Sequence, residues 1–293
     1  MENNKKNKVE LKVTKFFLLL ITLTLLISIR SENVSAHDMP PGSDPHGHML
    51  LFDGSRQLVN LGEIQLPDPY NGMTVEAHVR PIFNTRLDMQ ILASIEGGDF
   101  TLFVNYDDIG EDYSFAFALY TAYGHTAGVV GDPIECDRWY HVAGVYDGTY
   151  ISLYINGELE GMTHDVGYVF PALPVSPMYM GAQYQEGNAE GYYHGWIDEA
   201  RLWNYPRTQA EIHYYQYSRV QCDSSGLVGY WDLDDPSPSE TTQIVGNCAG
   251  DDGVLGFTEE IEDADPVWCD SERPYPPPGG WKITYLPILM FAE

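Results

Sequence analysis

The chain has 293 residues, 44% hydrophobic and 13% aromatic, with 15 Lys+Arg against 43 Asp+Glu and a formal net charge of −28. So much apolar and aromatic material is foreign to an acidic disordered tail, and the chain folds. Such an excess of carboxylates repels phosphate backbones and anionic headgroups, which excludes nucleic-acid binding and polybasic membrane attachment and favours cations.

Residues 1–36 open with Lys5, Lys6, Lys8, Lys12 and Lys15, continue with an apolar run of 14 residues from Phe16 to Ile29, and close on Val34-Ser35-Ala36. This is the layout of a secretory signal peptide cleaved near Ala36; the run is short for a membrane span, and an uncleaved anchor is the alternative. Cleavage leaves 257 residues with nine basic and 40 acidic side chains, a formal net of −31, and Lys282 as the sole lysine. The expected location is outside the cell or on its surface, with no membrane span in the mature chain. Four cysteines remain, Cys136, Cys222, Cys248 and Cys269. An even count in an exported chain predicts two disulfides, with three connectivities open.

Residues 37–47 are polar and rich in Pro and Gly, a flexible lead-in whose His37, Asp38, His46 and the following His48 offer at most weak metal ligation. From His48 onward short apolar runs alternate with turn residues. Tyr113, Phe115, Phe117 and Leu119 share one strand face, with Ser114, Ala116 and Ala118 on the other. Ile151, Leu153 and Ile155 alternate in the same way with Tyr150, Ser152 and Tyr154. Period two is the half-buried strand signature, and Asp147-Gly148 and Asn156-Gly157 supply hairpin turns. Strands without a βαβ rhythm predict an all-β, two-sheet antiparallel sandwich. Trp139, Trp196 and Trp203 are large enough to span its core. Glu199 and Arg201, two apart, are expected to pair on a sheet surface, where the pair would contribute little. One helix is predicted: Thr208-Gln209-Ala210-Glu211 is a capping box, and the helix should run to about Val220. The predicted organisation is a jelly-roll domain over 48–220, a β extension packing on it over 221–272, and a Pro-rich spacer with an apolar tail over 273–293.

Five phrases in order resemble the laminin G-like jelly-rolls of the concanavalin A-like lectin/glucanase class. They are Leu51-Phe52-Asp53-Gly54, the run Thr74 to Pro81, the run Trp139 to Gly148, Leu153-Tyr154-Ile155-Asn156-Gly157, and the run Ile197 to Asn204. They cover about residues 48–215, roughly two thirds of the mature chain. The family more usually has Trp where this chain has His78, a departure in packing. Gly226 to Asp234 resembles a strand that often opens such modules; here it follows the helix, so the C-terminal segment is expected to supply that strand, with a truncated second module as the alternative.

The chain has no G-x-S-x-G, H-E-x-x-H, P-loop or EF-hand pattern. The glucanases of the class carry carboxylates at alternate positions of one strand. The nearest string here, Glu260-Ile261-Glu262-Asp263, lies outside the matching phrases and reads as a solvated acidic run. The expectation is a non-enzyme. Calcium, which takes six to eight hard oxygen ligands, is the expected cofactor. Resemblance to the calcium-binding pentraxins implies one locus at Asp99 with Gln183, Gln185 and Glu186, although Tyr184 stands where an acid or amide would serve. A second locus would join Asp53 to Asp198, on strands expected to be neighbours; the alternative is that Asp53 closes its own turn and Asp198 accepts strand-end amides.

Sugars are held by aromatic faces with amides and acids fixing hydroxyls. Tyr184, Asn188, Tyr192 and Tyr193, with Gln185 and Glu190, form one candidate loop region. Tyr123 and His125, with Tyr120, form a second, and Tyr106, Asp107 and Asp108 a hairpin tip. The expected function is a secreted, non-catalytic module recognising a carbohydrate or an extracellular protein, with the calcium that the pentraxin resemblance implies. The alternatives are a cell-surface spacer and, less favoured, a glycan hydrolase or lyase.

Overall fold

Alternating side chains build two antiparallel sheets whose apolar faces meet. The computed structural model describes residues 48–64, 72–83, 85–94, 100–120, 126–164, 176–185, 187–234, 243–244, 253–256 and 266–270. Sheet I runs in the order β10 (Glu158–His164), β9 (Tyr150–Ile155), β8 (Tyr140–Tyr146), β3 (Met73–Pro81), β14 (His194–Trp203), β1 (His48–Asp53) and β18 (Val267–Asp270). β15 (Leu227–Trp231) also pairs with β14. Sheet II runs β16 (Gln243–Ile244), β17 (Gly253–Leu255), β2 (Val59–Ile64), β11 (Ser176–Met180), β4 (Met89–Ser94), β5 (Phe100–Asp107), β6 (Asp112–Tyr120) and β7 (Thr126–Pro133). A small hairpin, β12 (Gln183–Gln185) with β13 (Asn188–Glu190), stands apart from both.

The long β14 organises sheet I. One edge carries β3; the other carries β1 against residues 194–197 and then β15 against residues 200–203. Strands from both ends of the described chain thus line up end to end on one neighbour. The C-terminal segment also reaches sheet II, where β17 pairs with β2.

Between the sheets lie Leu50, Phe52, Val75, Ala77, Val79, Leu102, Phe115, Phe117, Leu153 and their neighbours, all buried. The faces of β6 and β9 follow the alternation of the sequence. Gly144 of β8 is glycine because a Cβ there would run into the Phe117 ring. At the β9–β10 turn Asn156 and Gly157 both take positive φ, 52° and 79°, the pair of left-handed residues that a two-residue hairpin needs.

Four expectations are corrected. The core tryptophan is Trp231; Trp139 and Trp196 are half-buried, and Trp203 turns away from the core toward Glu76. Thr208 does form its capping box, but the helix α1 (Gln209–Tyr215) stops five residues before Val220. The carbonyls of Tyr215 and Ser218 accept instead from the guanidinium of Arg201, at 3.1 and 2.9 Å, which draws the chain out of the helical path. The Glu199–Arg201 pair exists at 2.5 Å but is buried. Cys136 is an exposed free thiol whose sulfur accepts from the Phe83 amide at 3.3 Å, so two disulfides spanning all four cysteines do not form here. Cys222 is exposed, Cys269 is described only as backbone of β18, and Cys248 lies outside the described residues.

Candidate functional site

Because Phe100, Leu102 and Val104 of β5 enter the core, Thr101, Phe103 and Asn105 face the opposite side of sheet II. By the same alternation Ser114, Ala116 and Ala118 of β6 face outward, and so does Tyr179 of β11 between the buried Met178 and Met180. A register shift in β4 between Gln90 and Leu92 lets both Ile91 and Leu92 stay in the core while Gln90 turns out. There its amide oxygen accepts from the Thr101 hydroxyl. Register sets Gln90, Phe103, Ala116 and Val130 in one row across four strands, with Ala93, Thr101, Ala118 and Gly128 in the next. Two alanines and a glycine keep the middle of this face low beside the half-buried Phe103.

The β12–β13 hairpin packs at the edge of that face. Tyr179, Leu58 and Ala182 form a small apolar cluster that Tyr184, Ala189 and Tyr192 cover, and the Tyr179 and Tyr184 rings lie 5.4 Å apart. Gly191 holds the hairpin down: the Gln90 amide donates to its carbonyl at 2.7 Å. With φ of 65°, a Cβ there would sit 2.8 Å from Gln90 Cγ. Burial, and next the carboxylate of Glu190, push the Tyr120 phenol up, which places Glu190 within electrostatic reach of β6. Burial raises Tyr192 in the same sense, and the neighbouring Arg56 opposes it.

Of the sugar-contact residues expected from sequence, Tyr184 and Tyr192 are half-buried in this hairpin region and Asn188 is exposed on it. Tyr193 is not available: it is fully buried, edge-on to Phe52 at 6.1 Å, with its hydroxyl donating to the Trp196 carbonyl at 3.4 Å. Tyr123 and His125 lie outside the described residues. Gln90, Thr101, Phe103, Asn105, Ser114 and Tyr179 escaped the sequence reading. Their signal was present in β5, where a second phenylalanine, Phe103, occupies an outward position between inward Leu102 and Val104.

The calcium loci fare differently. Asp99 and Glu186 lie outside the described residues, and Gln185 is described only as backbone. Gln183 already donates to Glu190 at 2.5 Å. Asp53 is exposed and accepts from both the amide and the hydroxyl of Ser55 at 2.8 Å, closing its own turn. Asp53 sits opposite His194, four residues along β14 from Asp198, about 13 Å, so the two do not share an ion. Among the described residues no group of three or more His, Cys, Asp or Glu is placed to hold a metal.

Chemistry is densest on the outer face of sheet I, beneath α1. Glu76 of β3 is completely buried and its Oε1 receives Arg207 Nη1 at 2.5 Å, Trp203 Nε1 at 2.9 Å and Arg201 Nη1 at 3.6 Å. Its other oxygen lies 3.4 Å from His141 Nε2. Arg201 pairs with Glu199, which also accepts from the Tyr230 hydroxyl at 2.8 Å. Arg207 lies 4.4 Å over the Trp203 ring. His78 packs edge-on to His141 at 5.0 Å and is stacked under Tyr217 at 6.2 Å, so it fills the usual tryptophan position with a smaller ring. Burial would raise the Glu76 carboxyl, but His141 and the two guanidiniums outweigh it and hold it well below the usual carboxylate range. Burial pushes Asp198 well up, with Glu199's charge in the same sense. Glu76, Asp198 and Glu199 are all buried.

This cluster sets a pH dependence. Burial holds both His78 and His141 below the ordinary imidazole value, so their contribution is present above about pH 6.5 and is lost as pH falls. Asp198 has the opposite sign, since burial raises its carboxyl and its contribution is lost as pH rises. Two lowered imidazoles against one raised carboxyl make stability fall as pH drops below about 6.5. Urea denaturation between pH 7.5 and 5 measures it, and H78F should make the profile shallower.

The family model of laminin G type described as the concanavalin A-like lectin/glucanases superfamily matches residues 53–213, more than half of the chain. The chain belongs to this superfamily. No curated protein matches it. Among solved structures, a Bacteroides ovatus protein provisionally assigned to carbohydrate binding superposes with a TM-score of 0.56 at 23% identity, over 75% of this chain and 61% of that one. The chain therefore spans less than two thirds of that protein's length. The heptameric SAP-like pentraxin of Limulus polyphemus superposes with a TM-score of 0.50 at 16% identity, over 73% of this chain and 97% of the pentraxin. At such identities the likeness establishes the lectin/glucanase sandwich and leaves the ligand to the residues of the face.

Proposed function

We propose that this chain is an exported, non-catalytic carbohydrate-binding module whose sugar face is the outer surface of sheet II with the β12–β13 hairpin. One observation carries the reading: the half-buried Phe103 and Asn105 stand on this face over the buried Gln90, Thr101 and Ser114, with the half-buried Tyr184, packed against buried Tyr179, two strands away, about 10 Å. Aromatic faces stack on C–H-rich sugar rings while amides and hydroxyls match sugar hydroxyls, and that separation suits about two hexose units. Beside Phe103, outward positions 101–105 of β5 and 114–118 of β6 hold no carboxylate, and the nearest pair, Asp107 opposite Asp112, lies at the hairpin end, whereas a glycoside hydrolase needs two flanking the scissile bond. The Bacteroides protein's provisional assignment to carbohydrate binding agrees with this reading.

Affinity electrophoresis and calorimetry of the mature protein against a glycan panel test it. F103A and Y184A should each weaken binding about tenfold, the effect of losing about 1.4 kcal/mol of stacking. Y214A, on the exposed face of α1, should leave affinity unchanged. Unaltered affinity in both F103A and Y184A would remove the face from consideration. The calcium implied by the pentraxin resemblance is read in the same assay by adding chelator.

A further inference from the structure

Resting on the sugar face just described, we infer that its ligand is an uncharged polysaccharide and that uronate-containing, sulfated and sialylated chains are refused. The distribution of cations carries this. None of the eight strands of sheet II contains a lysine or arginine, and neither does the β12–β13 hairpin. Glu63 and Glu190 stand on exposed positions of β2 and β13.

The described arginines are placed elsewhere. Arg201 and Arg207 are sealed on the far side of the sandwich against Glu76. Arg80 is paired with Asp137, Arg138 with Glu135 and Arg219 with Asp234. Arg86, at the β4 end, pairs with Glu111 at 3.4 Å. Arg56, beside Tyr192, and Arg86, near Tyr113, are exposed guanidiniums at the margin of sheet II, in loops rather than among Phe103, Gln90 and Thr101.

A carboxylate or sulfate brought onto this surface would give up water without a charge-assisted partner and would meet Glu190 instead. The formal −31 of the mature chain adds long-range repulsion of polyanions. Sugar hydroxyls, by contrast, find both a donor and an acceptor in the half-buried amide of Asn105, while Gln90, Thr101 and Ser114 are buried behind it and the first two bond each other. Two aromatic positions two strands apart fit a chain rather than a monosaccharide.

The experiment compares neutral probes (mixed-linkage β-glucan, xylan, mannan) with anionic ones (polygalacturonate, alginate, heparin, sialyllactose) at 50 and 500 mM NaCl. Wild type, F103A and Y184A are tested. Expected is binding to at least one neutral probe, changed less than twofold by salt and weakened about tenfold in each of the two variants, with no anionic probe bound at either salt concentration. Failure at high salt matters, because there repulsion is screened and only the missing local cation remains. Binding of an anionic probe that F103A and Y184A weaken would overturn the inference while leaving the face in place. Binding of any probe that both variants retain at full affinity, or no binding at all, would defeat the face and the inference together.

Discussion

Replacing Glu76 with alanine should cost about 3–5 kcal/mol of stability, because one deletion leaves two buried guanidiniums without their shared anion. Arg207 and Arg201 both address Glu76 Oε1, and Trp203 adds its indole N–H to the same atom. Arg201 keeps Glu199, whereas Arg207 keeps no direct carboxylate partner in place of Glu76 and is left with the Glu211 carbonyl at 3.2 Å, the Tyr205 hydroxyl, the Trp203 and Tyr215 rings and the more distant Glu211 charge. E76Q should fall between wild type and E76A, since it keeps an acceptor for Trp203 and loses the charge. The triple change E76L/R201M/R207M should recover much of the loss, because apolar side chains of similar volume carry no desolvation penalty. Urea denaturation at pH 7.5 distinguishes these variants. A loss below about 1 kcal/mol for E76A would mean that water reaches the cluster and that α1 does not seal it.

The fold could be read from sequence because its signals are local. The period of two in Tyr113 to Leu119 places inward and outward residues directly, and Asn156-Gly157 marks its turn through backbone geometry alone. The capping box at Thr208 likewise fixed where α1 begins. Its end was not legible, since the Tyr215 and Ser218 carbonyls that leave the helix answer Arg201, a partner 14 and 17 residues away in the chain. The same holds for the buried cluster: Glu76, His78, His141, Arg201 and Arg207 look like ordinary outward polar positions until α1 lies over them. The proposed sugar face was half legible. Clustered tyrosines pointed to the hairpin, but the low platform beside Phe103 depends on register across β4, β5, β6 and β7. Asp53 and Asp198 looked alike because both sit in family phrases, and only the offset along β14 separates them.

Trp231→Ala is the second large effect, with an expected loss of about 3–5 kcal/mol for a fully buried indole. Trp231 lies opposite Ala200, and a Cβ on Gly229 would strike its ring, so small neighbours have been kept to admit it. Collapse into the vacated space is opposed by the adjoining Tyr230, whose hydroxyl is fixed to Glu199 on the other side of sheet I. β15 therefore contributes to both layers at once, Trp231 to the apolar interior and Tyr230 to the charged cluster beneath α1. W196A offers the control: Trp196 is half-buried and carries Arg80 at 4.8 Å over its ring, so its loss should cost about 1 kcal/mol. G229A should also destabilise, by crowding rather than by cavity. Denaturant midpoints ranked W231A lowest, G229A between and W196A nearest wild type would tie the last third of the chain into the sandwich core. Equal midpoints for W231A and W196A would detach it.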